Sequence, residues 1–310
     1  MERPLQWDGT SKGSVPGNRI FMWLLAHGGL FPAYCLLVPV SLYYALFDFK
    51  SIRVLRLYWA HLGKKAGLAR LWRHFFRFGM SLLDRYVFLL KTKSPFSFTT
   101  VNEQAITAAV GEGKGVILLS AHLGNWEIAG NLLFDRIDVP INFTMVDAEK
   151  KEIKDVFEKA FVKRRVNIIP IGRESMAFIM GMHEALRKGE IVCMHGDRMF
   201  GTKGLKKEFL GGHVEFPTGP FAIAAATGAP IIPIFAVKKG FKTYEMKAYR
   251  PIIVSSDFPG DRNAMVSEGL EKYVKLLEQV VKENPYEWFN FYDFWKEGEE
   301  KAKKRRKDEG

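Results

Sequence analysis

From about residue 96 the chain alternates between short apolar runs and longer stretches with helical spacing, and nothing else in it restricts the fold so tightly. The runs "GVILLSA" (115–121), "INFTMV" (141–146), "NIIPI" (167–171), "EIVCMH" (190–195), "APIIPIFAVKK" (229–239) and "TYEMKAYRPIIV" (243–254) have strand length. Near-continuous apolar runs of this kind predict strands covered on both faces. Residues 125–137, 148–164, 174–188 and 264–283 predict helices; in the last, Leu270, Tyr273, Val274, Leu277, Val280 and Val281 form one stripe. "PTGPFAIAAATG" (217–228) begins with proline and ends with glycine, as helices do. Strand and helix in turn predict an α/β fold, a mostly parallel mixed sheet flanked by helices.

A different pattern precedes it. From Ile20 to Phe47, 28 residues pass without an Asp, Glu, Lys or Arg. That length crosses a bilayer, but Gly28, Gly29, Pro32 and Pro39 interrupt it. One kinked spanning helix and a helix pair dipping into one leaflet both satisfy the pattern. Residues 48–77 then carry eight basic residues against one acid, Asp48, which by the positive-inside rule puts this flank in the cytoplasm. Residues 51–90 have amphipathic helical spacing, and "KTKSPFSF" (91–98) reads as a boundary. The expected organisation is a tail (1–19), a helical membrane-associated region (20–95), an α/β catalytic domain (96–295) and a charged tail (296–310).

The balance is basic, 46 Lys plus Arg against 34 Asp plus Glu. Such a surface suits anionic lipid, an acidic carrier protein or nucleic acid. No zinc-finger spacing or recognition-helix pattern supports nucleic acid, which is not expected as a partner. Cys35 and Cys193 lie far apart in apolar runs, and both are expected as packed thiols without a disulfide.

The chemistry centres on "ILLSAHLGNWEIAG" (117–130), where His122 precedes Glu127 by five positions. One such pair is roughly what chance supplies among the 7 histidines, so only its context in the fold can give it meaning. Sites in open α/β sheets form beyond the carboxyl ends of strands, and His122 directly follows a predicted strand. Gly124 lets the chain turn, Asn125 is a candidate N-cap, and Glu127 would sit in the first helical turn. A carboxylate on one ring nitrogen leaves the other to act as a general base; the alternative is a structural histidine at a helix start. The chain has no G-x-S-x-G elbow, no phosphate-binding glycine loop and no H-E-x-x-H. A base without a protein nucleophile suits direct transfer, in which a bound hydroxyl attacks a carbonyl.

Five blocks in order carry a resemblance. "SAHLGNWE" is similar to the H-x4-D/E block of glycerolipid-type acyltransferases, in the form of the lipid A late (lauroyl/myristoyl) acyltransferases. "KRRVNIIPIG" (163–172), "HGDRMFG" (195–201), "VEFPTGPFAIAAATGAPIIPIF" (214–235) and "NPYEWFNFYDFW" (284–295) resemble the blocks that follow, although the usual basic residues of the last are replaced. Thr218 stands where the wider superfamily has the acid of F-P-E-G, which favours the lipid A type. No acceptor-binding role is carried to Thr218 or Glu215.

The resemblance implies an enzyme anchored by its N-terminal region on the cytoplasmic face of the bacterial inner membrane. It would move a fatty acyl group from acyl carrier protein or acyl-CoA to a hydroxyl of a lipid A precursor or related saccharide lipid. His122 would be the base and Glu127 its orienting acid, with no metal or bound cofactor. Asn125, Arg164, Arg165, Asp197, Arg198, Pro217 and Gly219 are further substrate-binding candidates. Their bland readings are helix-end charges for Arg164 and Arg165, an intraloop ion pair for Asp197 and Arg198, and shape for Pro217 and Gly219. A lysophospholipid, amino-acid lipid or polyene lipid is the alternative acceptor class. A basic peripheral membrane-binding protein is the non-enzymatic alternative.

Overall fold

A computed structural model of the chain describes residues 15–90, 95–125, 136–146, 166–171, 176–199, 204–254 and 261–295. Among them, four helices come first: α1 (Val15–His27), α2 (Leu30–Phe47), α3 (Phe49–His61) and α4 (Leu68–Leu90). There follow β1 (Ser97–Val101), α5 (Gln104–Gly111), β2 (Val116–Ser120), β3 (Ile141–Val146), β4 (Val166–Ile171), α6 (Met176–Arg187) and β5 (Ile191–His195). The remainder comprises β6 (Gly204–Phe209), β7 (Gly212–Pro217), α7 (Gly219–Thr227), β8 (Ile231–Lys238), β9 (Thr243–Ala248) and α8 (Arg262–Glu283).

Seven strands form one sheet in the order β1-β9-β8-β2-β5-β3-β4, and β6 with β7 forms a separate hairpin. The sheet is parallel except where β8 meets β9 antiparallel, so β9 and its parallel neighbour β1 run against the other five. Every residue of β2 and β8 is buried, which is why these strands have no polar face in the sequence. One core fills the sheet face toward α3, α4, α6, α7 and α8, and a second fills the face toward α5.

The predicted α/β architecture is the observed one. The expected strand 243–254 stops at Ala248, however: Pro251 has no N–H for a ladder, and only Ile252 rejoins the sheet, as a bridge to Ile231. β1, α5 and the β6–β7 hairpin had no counterpart in the sequence reading. The expected helix at 148–164 and nearly all of that at 125–137 lie outside the described residues.

The uncharged N-terminal run divides at Gly28 and Gly29 into α1 and α2. Gly29, at φ +78°, supplies the backbone conformation for the break. Pro32 falls in the first turn of α2, where a missing N–H is harmless, and α2 continues through Pro39. Its buried stripe, Leu30, Ala33, Tyr34, Leu37, Ser41 and Ala45, packs on α4. The seam between these helices and the sheet encloses charge. Asp84 of α4, fully buried, accepts from the Tyr34 and Tyr244 hydroxyls and from the Lys238 ammonium. The Lys238 ammonium in turn sits 4.7 Å from the centre of the Tyr244 ring. Neither cysteine forms a disulfide. Cys193 is a packed thiol, but Cys35 is exposed, because it lies on the α2 face turned away from α4.

Candidate active site

Parallel pairing of β2 with β5 sets Ser120 opposite His195. Two residues beyond each strand end stand His122 and Asp197, so the ladder itself brings them together. The Asp197 carboxylate accepts twice from His122: from the ring through Nδ1–Oδ1 at 2.8 Å and from the backbone N–H at 3.0 Å. Asp197 is also within hydrogen-bond reach of the Trp288 indole N–H and the Asn290 amide, each 3.3 Å from Oδ2. The Asn290 oxygen accepts from Arg198 Nε at 2.9 Å, so one neutral amide joins the guanidinium to the carboxylate.

These contacts set the charge states. Burial acts to raise the Asp197 carboxyl, but His122, its hydrogen bond and Arg198 together outweigh it and hold the group well below the usual carboxylate range. Asp197 is therefore ionised and acceptor-only, which puts the His122 proton on Nδ1 and makes Nε2 the basic atom. Burial, then Arg198, lower the His122 pKa; the Asp197 charge and hydrogen bond pull the other way. The ring is neutral at neutral pH. Its side chain keeps 20% exposure, so a substrate can reach it. His195 stacks on it with ring centroids 4.5 Å apart. Burial, then His122, hold His195 well below the ordinary imidazole value, so the stacking partner is uncharged too.

The turn after His122 is built for close approach. Gly124 has φ +69°, and a Cβ there would lie 1.9 Å from the Ala236 carbonyl oxygen. Its N–H donates to Glu287 O at 2.7 Å, and the Asn125 N–H donates to Ala236 O at 2.8 Å. The Asn125 side-chain amide donates to Ser81 O of α4 at 3.0 Å. The C-terminal segment closes the other side, the Phe289 N–H donating to His122 O at 2.8 Å.

Of the residues predicted from sequence, the structure brings His122 and Asp197 into contact and places Asn125 in the same turn. Arg198, next to Asp197, is buried and turned into the C-terminal segment: it donates to Asn290 and Phe289 O and lies over the Tyr292 ring. Pro217 ends β7 and is buried, while Gly219 opens α7, which packs on β2 and β8. Glu127, Arg164 and Arg165 lie outside the described residues. The carboxylate seen on the His122 ring is that of Asp197. Trp288, expected as packing or acyl-tunnel lining, stands at the Asp197 carboxylate, and Asn290 and His195 had no assigned place in the site; the parallel register of "VILLS" with "IVCMH" is the signal that aligns His122 with "HGD". Among the described residues no group of three His, Cys, Asp or Glu side chains could hold a metal ion.

Comparison with known proteins matches the chain to a family. A model of the bacterial lipid A biosynthesis acyltransferases covers residues 74–297. The chain is similar to a phosphatidylinositol mannoside acyltransferase of Mycobacterium tuberculosis, 26% identical over 195 residues, which is 61% of this chain and 57% of that protein. The counterpart in Mycolicibacterium smegmatis is 24% identical over 235 residues, 74% of this chain and 70% of that protein. The chain thus spans little more than half the length of the first of these relatives.

Proposed function

Because the chain belongs to the bacterial lipid A biosynthesis acyltransferase family, we propose that it transfers a fatty acyl group from a thioester donor to a hydroxyl on a saccharide-bearing membrane lipid. The observation that carries this reading is the contact of His122 with Asp197 at two adjacent strand ends. In the step it supports, His122 Nε2 takes the proton of the acceptor hydroxyl as its oxygen attacks the thioester carbonyl carbon. Asp197 stabilises the imidazolium that forms. The tetrahedral intermediate expels the thiolate, the C–S bond breaks, and the imidazolium proton returns to sulfur. No covalent enzyme intermediate is needed.

Acyl carrier protein or acyl-CoA is the donor. Both are anionic and suit the formal +12 charge of the chain. The acceptor is a lipid A precursor or another glycolipid, and the mannoside-lipid relatives favour a sugar hydroxyl on a glycosylated phospholipid as the second choice. The proposed location is the cytoplasmic face of the inner membrane, whose anionic leaflet the basic 48–77 flank suits. Purified protein given labelled acyl donor and a panel of glycolipid and lysophospholipid acceptors should label the glycolipid, and His122→Ala should abolish the transfer. Full activity in that variant would remove the base assignment. Label on lysophospholipid alone would move the acceptor to another class.

A further inference from the structure

Helix α2 has the length and hydropathy of a membrane span, yet its contacts forbid that use. It is tied to α4 from end to end. Tyr34 donates to Asp84, Leu37 fills the space beside Gly79, and Tyr44 stacks on Phe75 with centroids 6.1 Å apart. Ala45, in its last turn, belongs to the main core with sheet residues such as Leu119 and Phe235. Nor is α4 itself apolar all round. It bonds to the C-terminal segment and the sheet through His74 to Trp288 O, Arg77 to Glu287 and Asp84 to Lys238. To cross a bilayer α2 would have to carry that ionic layer and the sheet behind it into hydrocarbon.

The opposite face of α2 is a complete apolar stripe. Phe31, Cys35, Val38, Leu42 and Leu46 follow one another at steps of three or four and are all exposed. Trp23 of α1, 60% exposed, and Phe49, 74% exposed, flank the stripe along the chain. Beyond it, Lys50, Arg53, Arg56, Lys64 and Lys65 are exposed. An apolar ridge bordered by cations complements an anionic lipid surface.

We propose that this face is a monotopic membrane-docking surface: α2 lies in the plane of the bilayer, its outer stripe sunk in one leaflet, and does not span. The proposal is independent of the acyl-transfer reading, because lipid depth is read without turnover. The native chain supplies the probe, Cys35 on the stripe, with Cys193 buried and unreactive. A bimane label is placed on Cys35, and separately on Leu42→Cys and Leu46→Cys in a Cys35→Ser background. Each labelled protein is first checked for an unchanged circular-dichroism melt. Quenching by lipids carrying nitroxides at set depths is measured in vesicles of phosphatidylglycerol and phosphatidylethanolamine. The expected result is one common depth, about 5–10 Å below the headgroup boundary. A graded depth, differing by roughly 16 Å between positions 35 and 46 at 1.5 Å per residue, would identify a span and overturn the proposal. So would the absence of quenching at every position. In phosphatidylcholine vesicles the partition constant should fall by about tenfold or more; equal partition would remove the cationic border from the docking surface.

Discussion

A base must be neutral before it can take a proton, and the surroundings of His122 suit it to the proposed role. Burial and Arg198 push its pKa below the usual value of about 6.5, so the acid limb of the turnover rate should fall below pH 6.5, read from a kcat against pH profile. The direction follows from the sign: a lowered pKa keeps the ring neutral to lower pH, and activity is lost only as pH drops through it. Asp197→Asn removes the charge and lets an amide N–H face Nδ1, which favours the wrong tautomer, and should cut kcat by about 10³–10⁴-fold with little change in donor KM. Asn290→Leu keeps the size but loses both the donor to Asp197 and the acceptor for Arg198. It should lower kcat by about 10–100-fold and move the acid limb upward, because the less-shared carboxylate draws more charge onto the ring. A fall in melting temperature with an unmoved pH profile would make Asn290 purely structural. Gly124→Ala should destabilise by more than the ~1–2 kcal/mol of left-handed strain, because its Cβ meets backbone, as a denaturant melt would show. His122 and Asp197 were legible as strand-end residues. Their contact was not, because it depends on which strands are neighbours, and β2 and β5 are separated by two other strands in the sequence. Asn290 sits in an aromatic stretch that resembles a family block but singles out no polar residue.

Elements were legible where burial and periodicity agree. α8 has its apolar stripe on one side and Asp261 accepting from Asn263 N–H at its start, and the fully buried strands β2 and β8 cannot be mistaken for amphipathic helices. The β6–β7 hairpin was illegible for a chemical reason. Its turn residues, Leu210 at φ +52° and Gly211 at φ +71°, do the work that Asn-Gly usually announces. Leu210 tolerates this because its side chain is buried and its N–H is held by the Glu278 carboxylate at 2.7 Å. The α2–α4 seam hid for a related reason, since Asp84, Tyr34, Tyr244 and Lys238 are scattered over more than 200 residues. Asp84→Ala leaves the Lys238 ammonium buried without its carboxylate and should cost about 3–5 kcal/mol in a urea melt. Asp84→Ala with Lys238→Met should recover much of that loss, by replacing an orphaned charge with an apolar side chain.

At the scale of the whole molecule, the helical region and the sheet share one interior. Trp59, Phe75 and Leu71 stand in the same core as Leu119, Phe235 and Leu277. Deleting residues 1–90 should therefore yield protein that is insoluble or lacks a cooperative thermal transition. A soluble, cooperatively melting fragment with transferase activity would show that the sheet stands alone. The expected division at about residue 96 rests on a change of composition in the sequence; the common core is not visible there, because helix faces carry no mark of the surface they meet. That closure has a consequence for how the protein comes into being. The Phe289 N–H caps the His122 carbonyl, the Glu287 carbonyl holds Gly124, and Tyr58 donates to Pro285 O. On a ribosome adding roughly 5–20 residues per second, His122 waits about 10–30 s for these partners to be made. The lipid-seeking helices emerge first and the clasp last. The nascent chain can settle on a membrane well before it can turn over, so a message truncated before codon 285 should yield a bound but silent product.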